Sequence, residues 1–204
     1  MKWYSTEPSE GRQDYSVPDA MVRFARQHNN IAVRGHNVFW DDPHYQLGWV
    51  NSLPKKQLSI DAFWRENNIV KRYNGQLIAW DVVNENVHFN FFESRLGAQA
   101  SGITYNWALK VDGATPLFLN DFNTIEDSRD WKSSPKPYIN RLRRIQRFGD
   151  NFIGRFGIGL ESHFITPNIP YIRASIDYLT TAKVPIWITE LDYLDFNFSI
   201  YSKI

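Results

Sequence analysis

The sequence predicts an α/β protein built on a parallel sheet, and two observations lead to this fold class. Short apolar runs suited to strands recur along the 204 residues, and amphipathic stretches with helix signals separate them. This alternation is typical of βα units, in which a helix carries the chain from one parallel strand to the next. No low-complexity tract or linker-like Gly/Ser stretch interrupts the pattern. We therefore expect a single domain over residues 1–204.

The expected strands are the apolar runs at 31–39, 77–83, 116–120, 156–160 and 184–189. Every interval between them leaves room for a helix. A closed βα barrel needs eight strands, whereas an open doubly wound sheet needs about five or six. The number of visible runs alone therefore favours the open sheet.

Helix signals lie in each interval. The first helix is expected to open at Ser16, a cap residue followed by an early proline, and to end near Asn29. The second runs from about Pro54 to Tyr73, with Gly75 as its stop signal. Three more are expected near 91–109, 136–149 and 170–182. The polar interval 121–135 is interpreted as a loop inside the domain.

Two glutamates stand out because each follows an apolar strand. Glu85 ends the run Trp80-Asp81-Val82-Val83-Asn84, and Glu190 follows Ile186-Trp187-Ile188-Thr189. Barrel enzymes place catalytic side chains at the carboxyl ends of their strands. Two such carboxylates from distant strands suggest a glycosidase that uses a carboxylate pair. The competing interpretation is that Glu85 caps a helix and Glu190 is a surface ion-pair residue.

Composition narrows the function classes. The chain has 23 basic and 22 acidic residues, and the net charge of +1 argues against an obligatory nucleic-acid partner. It has no cysteine, which excludes disulfides, thiolate metal sites and cysteine nucleophiles. No apolar run is long enough to predict a membrane span. Aromatic residues make up 16% of the chain, which favours a carbohydrate site, because aromatic faces stack on sugars.

Several motifs, taken together and in order, resemble glycoside hydrolase family 10, the retaining endo-β-1,4-xylanases, and its plant-type members in particular. The matching segments are Met1-Lys2-Trp3 with Glu7-Pro8, Val33-Arg34-Gly35-His36-Asn37-Val38-Phe39-Trp40, Trp80-Asp81-Val82-Val83-Asn84-Glu85, Leu119-Asn120-Asp121, Gly159-Leu160-Glu161-Ser162-His163-Phe164 and Ile188-Thr189-Glu190-Leu191-Asp192. The resemblance implies an incomplete (β/α)8 TIM barrel that covers roughly the end of strand 2 to strand 7. It also implies xylan or xylo-oligosaccharide as the partner.

The resemblance assigns the chemistry to the two glutamates. Glu85 becomes the acid/base, which must hold its proton near neutral pH, and Glu190 becomes the nucleophile, which must stay ionised. Three residues are implied as support for catalysis. His163 hydrogen-bonds and orients the nucleophile, Asn84 binds the sugar 2-hydroxyl, and Asp192 orients neighbouring groups.

The same resemblance implies a set of substrate-binding residues: Lys2, His36, Trp40, Asn120 and Glu161. Simple core packing is the competing interpretation for Trp40, and a solvated surface lysine is the competing interpretation for Lys2. We expect no cofactor and no metal, because no His/Asp spacing makes a convincing ligand set. A membrane partner and an oligomer are not expected. The family also implies a secreted protein of the extracellular space or cell wall.

Comparison with the family pattern leads to the expectation of a fragment. Strand 1, most of strand 2 and strand 8 have no counterpart in the sequence, so we expect exposed edges on the sheet and uncertain activity. Two other functions stay open. One is a non-catalytic xylan-binding remnant, and the other is a barrel β-glycosidase that acts on cellulose or mannan.

Overall fold

The structure is a computed structural model, and it describes residues 1–148 and 154–193. It contains a main parallel sheet and a short second sheet. The strands are β1 (Arg34–Trp40), β2 (Ala79–Asn84), β3 (Leu117–Asp121), β4 (Phe156–Leu160), β5 (His163–Phe164), β6 (Ile186–Ile188) and β7 (Asp192–Tyr193). The main sheet has the order β1-β2-β3-β4-β6, and β5 pairs with β7.

Helices connect the strands. They are α1 (Trp3–Thr6), α2 (Ser16–Gln27), α3 (Gly48–Ser52), α4 (Lys55–Arg72), α5 (Phe91–Leu96), α6 (Ala100–Val111), α7 (Pro135–Gln146) and α8 (Ile169–Leu179). Successive long helices pack on one another, α4 on α6, α6 on α7 and α7 on α8. The helices therefore follow one another around the same face of the sheet.

Strand order decides between the two α/β folds. In a doubly wound sheet the strand order reverses at a switch point and helices cover both faces. Here the five main strands are parallel and lie in their order along the chain, without a reversal. This is the winding of a (β/α)8 barrel, of which the described residues form part. The open doubly wound sheet favoured by the number of runs is wrong.

The expected elements are found, with one split. All five strands of the main sheet lie within or one residue beyond the apolar runs. The stretch 91–109 forms two helices, α5 and α6, because Gly97 takes a φ of 115° and interrupts the helical path. Ser16 is the first helical residue rather than the cap. Its backbone N–H is satisfied by the Asp14 carboxylate at 2.8 Å.

The sheet interior is strongly apolar, and helix side chains tie the helices to it. Every residue of β2, β3 and β4 is buried. The Tyr105 hydroxyl of α6 donates to the Phe118 carbonyl at 3.0 Å. The Tyr138 hydroxyl of α7 donates to the carbonyls of Leu119 and Gly159. These bonds fix the strand ends that carry the polar groups described below.

A fully buried arginine holds the amino-terminal segment on the sheet. The Arg65 guanidinium of α4 donates to the Thr6 hydroxyl at 2.7 Å and to the carbonyls of Asn37 and Val38, each at 3.3 Å. Burial lowers the pKa of Arg65 to about 10, so the group stays charged at neutral pH. These bonds connect α1, β1 and α4. They place Lys2, just before α1, beside the end of β1.

Candidate active site

A cavity of about 390 Å³ opens at the carboxyl ends of the strands. Its lining residues are His36, Trp40, Asp42, Tyr45, Asn84, Glu85, Phe89, Phe122, Asn123, Glu161, His163 and Glu190. The sequence singled out seven of these residues as site residues: His36, Trp40, Asn84, Glu85, Glu161, His163 and Glu190. Lys2, Asn120 and Asp192 lie beside the cavity rather than in its lining. The main sheet thus gathers side chains from the ends of all five of its strands at one edge.

Glu85 sits directly after β2 in a left-handed backbone conformation, with a φ of 55°. Its N–H donates to the Asn120 carbonyl at 2.8 Å, and its carbonyl accepts from the Phe89 N–H at 3.0 Å. The side chain is buried, and this burial raises the pKa of Glu85 to about 7, with further contributions from Asp121 and Asp42. Glu85 can therefore hold a proton near neutral pH and can release it in the same range.

Glu190 lies in a more open position, after β6. Its side chain is 34% exposed. The Asn120 side-chain amide donates to its Oε1 atom at 2.9 Å. His36 Nδ1 lies 3.8 Å from Oε1, and His163 Nε2 lies 3.8 Å from Oε2. The carboxylate is thus oriented by one amide between two imidazoles. The two glutamates that the sequence singled out face one cavity with unequal burial.

Asn120 makes hydrogen bonds to other polar side chains behind the cavity. The side chain is fully buried, so it lies behind the cavity wall and not on its surface. Its Nδ2 atom lies 2.9 Å from Asn84 Oδ1, 2.9 Å from Glu190 Oε1 and 3.2 Å from Glu161 Oε1. Its Oδ1 atom accepts from the Thr189 hydroxyl at 2.6 Å. Through these bonds Asn120 connects the ends of β2, β4 and β6.

Glu161 is a buried carboxyl surrounded by other carboxyls. Burial, together with charge repulsion from Glu190 and Glu85, raises the pKa of Glu161 to about 10. The group therefore carries a proton at neutral pH. It lines the cavity, where a neutral carboxyl can both donate and accept a hydrogen bond.

His163 contacts Glu161 more closely than it contacts Glu190. Its Nε2 atom lies 3.3 Å from Glu161 Oε2, whereas the distance to Glu190 Oε2 is 3.8 Å, beyond hydrogen-bond range. The direct bond from His163 to Glu190 that the family resemblance implied is therefore absent. Asp192 Oδ2 lies 3.1 Å from His163 Nδ1, on the other side of the same ring.

His36 is held by a partner that the sequence analysis did not assign. Its Nδ1 atom lies 3.1 Å from Asp81 Oδ2, and the Arg34 guanidinium binds both oxygens of the same buried carboxylate. The signal was present in the sequence, because an aspartate in the middle of an apolar strand must be paired. Asp81 thus fixes the ring that faces Glu190.

An aromatic wall closes one side of the cavity. Trp40 stacks on Tyr45 with ring centroids 3.8 Å apart, and the Lys2 ammonium lies 3.9 Å from the centre of the Trp40 ring. Burial lowers the pKa of Lys2, while the carboxylates of Glu190, Glu85 and Glu161 oppose this shift. The charge of Lys2 therefore interacts with the acidic groups of the cavity. Tyr45 was missed because it belongs to a short 3-10 turn, Pro43–Tyr45, outside every motif.

A second group of polar residues supports the loop after Glu85. His88 stacks on Phe122 at 3.8 Å, and its two ring nitrogens face Asp121 and Asp130. Asp121 also accepts from the Val87 N–H at 2.6 Å. His88 lies outside every motif that indicated site residues. The only local signal was a histidine three residues beyond Glu85.

Three ligand-type groups of the cavity lie close enough to consider a metal ion. One ligand atom from each of Glu161, His163 and Glu190 lies within 4.8 Å of the others. The sequence did not indicate this set, because Glu190 follows a different strand from Glu161 and His163. Glu161 carries a proton at neutral pH, and Asn120 donates to both glutamates. Both glutamates already accept hydrogen bonds, and a metal ion could bind only by displacing the proton of Glu161 and these bonds.

Comparisons with known proteins agree with this geometry. Endo-1,4-beta-xylanase 4 of Arabidopsis thaliana is 43% identical over 195 residues, which are 94% of this chain and 34% of that protein. Anti-sigma-I factor RsgI6 of Acetivibrio thermocellus is 34% identical over 195 residues, 94% of this chain and 24% of that protein. The crystal structure of xylanase XynB from Paenibacillus barcinonensis, complexed with a conduramine derivative, superposes with a TM-score of 0.81 at 25% identity. It covers 95% of this chain and 60% of that one.

The chain therefore spans about a third of the length of the Arabidopsis xylanase that it resembles. The sequence model of the family described as glycosyl hydrolase family 10 matches residues 1–199. This match confirms the resemblance that the ordered motifs indicated. With the motifs, the barrel winding and the match over nearly the whole chain in agreement, the protein belongs to glycosyl hydrolase family 10.

Proposed function

We propose that the described residues form the cleft-bearing part of a catalytic domain that hydrolyses internal β-1,4-xylosidic bonds of xylan with retention. The observation that carries this proposal is the pair of unlike carboxyls in one cavity. Glu85 is buried, with a pKa of about 7, and Glu190 is one-third exposed and held by Asn120. One group is suited to give and take a proton, and the other to attack. The names of the similar Arabidopsis proteins support xylan as the substrate class.

In the proposed first step, Glu85 donates its proton to the glycosidic oxygen while a Glu190 oxygen attacks the anomeric carbon. The bond from that carbon to the leaving sugar breaks, and an ester to Glu190 forms. In the second step, the Glu85 carboxylate removes a proton from water. The water oxygen attacks the same carbon, and the Glu190 ester breaks. Two inversions give net retention, and Glu85 ends with its proton restored.

The remaining residues of the cavity receive supporting roles in this proposal. The sugar at the reacting carbon is contacted by Asn84, His36 and Trp40, which line the cavity. Lys2 lies over the face of Trp40, and Glu161 donates a hydrogen bond to the sugar from its neutral carboxyl. Asn120, His163 and Asp192 act on other side chains and position them.

The location of the protein is also a proposal. Xylan is a wall polysaccharide, so we propose that the chain acts outside the cell or in the wall. One similar solved protein, of Thermoanaerobacterium saccharolyticum, is described as an intracellular xylanase, so a location inside the cell is the alternative. Across the part of the chain that the structure describes, no helix has the length and apolar character needed to cross a bilayer. Fluorescent-fusion imaging after plasmolysis tests the location.

Hydrolysis is tested by incubating the 204-residue chain with xylan, cellulose and mannan and measuring reducing ends. We expect release from xylan, and we expect Glu190→Ala and Glu85→Ala to lose on the order of 10³-fold or more in turnover. An NMR time course should show the β-anomer of the product first. Preferred release from cellulose or mannan would assign another barrel glycosidase.

A second candidate function is xylan binding without turnover. It is favoured by the similarity to a protein named as an anti-sigma factor, since that name describes a regulator. The same assay separates the two functions. Binding of xylan without reducing ends, unchanged by Glu190→Ala, would support the binding function and contradict the hydrolase.

A further inference from the structure

A second cavity lies between helices α4 and α6, on the helical face of the protein. It has a volume of about 280 Å³ and shares no lining residue with the cleft. Both helices are complete elements that pack on each other and on the sheet. The cavity is thus a built feature of the outer helical layer, and the proposed hydrolysis does not use it.

Glu66 gives this cavity an unusual polar group. The side chain lines the cavity and is 4% exposed, and its Oε1 atom has no hydrogen-bond partner among the residues the structure describes. Burial raises the pKa of Glu66 well above its ordinary value, which favours the neutral form of the carboxyl. A buried polar atom without a partner costs roughly 1–3 kcal/mol, and a ligand hydroxyl would remove that cost.

Aromatic rings form the walls and rim of the same cavity. Phe63 and Trp107 line it with ring centroids 5.1 Å apart, and Trp64 contacts Phe63 at 5.4 Å. Trp64 is 53% exposed and Trp107 is 39% exposed, which is unusual for the largest apolar side chain. Flat exposed rings next to a hydrogen-bonding group suit a ligand with both an apolar face and hydroxyl groups.

The charges around the cavity restrict the ligand to a neutral molecule. No lysine or arginine is among the residues that line it, so an anion would find no opposite charge. Burial disfavours the charged form of Glu66 that a cation would need. The Lys110 ammonium lies outside the cavity lining, 5.3 Å from the centre of the Trp107 ring, and would repel a cation further. The volume suits one small ring rather than a drug-sized molecule.

We propose that this α4–α6 cavity binds one pyranose ring of a neutral β-linked xylo-oligosaccharide, with the ring face on Trp107 and a hydroxyl on Glu66. The choice of sugar rests on the proposed function of the cleft. A polymer held at this second site would stay close to the cleft between cleavage events, which raises its effective concentration there.

Fluorine NMR of the chain labelled with 5-fluorotryptophan tests both sites at once. Each of the eight tryptophans gives its own fluorine signal. The Trp40 signal reports ligand binding in the cleft, and the signals of Trp64 and Trp107 report binding at the α4–α6 cavity. The signal of the exposed Trp131 reports unspecific stacking of the sugar on the surface. Xylotriose is titrated into the Glu190→Ala variant, which prevents hydrolysis. We expect saturable shifts of Trp107 and Trp64 with their own dissociation constant, distinct from that of Trp40.

The Glu66→Leu variant keeps the side-chain volume and removes the polar anchor. We expect the dissociation constant at Trp107 to rise about tenfold, the value for one lost hydrogen bond of about 1.4 kcal/mol. The Trp40 titration should not change. The variant should fold at least as stably as the parent, because it removes a buried carboxyl with one unpartnered oxygen. Phe24→Ala on the exposed face of α2 serves as the matched control and should leave both titrations unchanged.

The outcomes separate the two proposals. A Trp107 signal that does not move, or that moves linearly together with Trp131, overturns the second site, whereas a saturable Trp40 shift keeps the cleft proposal. An unchanged Trp107 titration in Glu66→Leu also overturns it. A saturable Trp107 shift without any Trp40 shift supports the second site and contradicts xylan as the ligand of the cleft.

Discussion

At the scale of single residues, the cleft gives two glutamate side chains different properties by placing them in different surroundings. Glu85 is buried beside Asp121 and Asp42, and its pKa is about 7. Glu190 lies at the open side, with an amide donor and two imidazoles around its oxygens. Proton transfer and nucleophilic attack need these different states, and both environments follow from where each strand ends.

The pH dependence of turnover follows from the environment of Glu85. In the proposed mechanism Glu85 must be protonated to act as the acid, so activity should fall as pH rises through about 7. Asp42 faces the same cavity and raises the pKa of Glu85 by charge repulsion, so Asp42→Asn should move this alkaline limb to lower pH. The measurement is kcat against pH with a soluble xylo-oligosaccharide. Asp177→Asn, on the exposed face of α8, is the control. An unchanged limb in Asp42→Asn would contradict this account of Glu85.

Glu161 links the site to stability. Its folded-state pKa is about 10, whereas an unfolded glutamate titrates near 4.3. Because the folded pKa is the higher one, the stability that Glu161 provides as a neutral group is full below about pH 4. That stability is lost progressively as pH rises towards 10.

The Glu161→Gln variant keeps the shape and the neutral state at every pH. We expect its Tm to match the parent near pH 4 and to exceed it increasingly above pH 6, by about 2–4 °C per kcal/mol for a domain of this size. Thermal unfolding by circular dichroism across pH 4–9 checks this expectation. A constant difference at all pH values would show that titration of Glu161 does not contribute.

Site residues could be predicted from the sequence where they belong to a recognisable motif. They could not be predicted where their importance comes from a contact that forms only in the folded sheet. Glu85, Glu190 and His36 were identified by their flanking segments. Asp81 was not, although it holds His36, because its role depends on the register that places it beside Arg34 and His36. Register is a property of the assembled sheet and leaves only an indirect trace in the sequence.

At the scale of elements, strand glycines set how closely the strands and their side chains approach. A side-chain carbon on Gly35 would lie 2.3 Å from the Trp80 ring, and one on Gly157 would lie 2.4 Å from the Phe118 ring. Each of these glycines stands opposite a large residue of the neighbouring strand. The strands themselves were predictable as apolar runs. The pairing of a glycine with a particular ring was not, since it required the strand order.

Gly159 gives an element-scale prediction. It lies on β4 opposite Asn120, and an alanine there would place its Cβ 2.5 Å from Asn120 Oδ1 and 3.2 Å from the Asn120 backbone. Asn120 must then move, and with it the amide that orients Glu190. We expect Gly159→Ala to lower kcat by about 10²-fold with a smaller change in KM, since small misplacements of reacting groups have such effects.

The measurement for Gly159→Ala is steady-state kinetics with an aryl β-xyloside substrate. Gly48→Ala at the start of α3 is the matched control, because nothing lies within 4 Å of the added carbon. A loss of stability without a loss of kcat in Gly159→Ala would show that Asn120 can shift without disturbing Glu190.

At the scale of the whole molecule, five consecutive parallel strands leave two sheet edges among the described residues. One is β1, which is largely buried, and the other is β6, which pairs with β4 alone within residues 1–148 and 154–193. Family resemblance predicts a protein that does not oligomerise, whereas an apolar sheet edge predicts pairing with another chain. Ile188 on β6 is 47% exposed, so the edge presents an apolar side chain together with its backbone groups.

The two expectations are separated by the self-association of the 204-residue chain. If the β6 edge pairs between molecules, light scattering after size exclusion should show association that increases with protein concentration. Ile188→Lys places on this edge the charge that natural edge strands use against pairing. It should raise the concentration needed for association at least about tenfold, which is about 1.4 kcal/mol. Ile103→Lys, a similarly exposed position on α6, is the control and should leave association unchanged. A parent chain that stays monomeric at every concentration would mean that the β6 edge is covered, and the family expectation of a monomer would then hold.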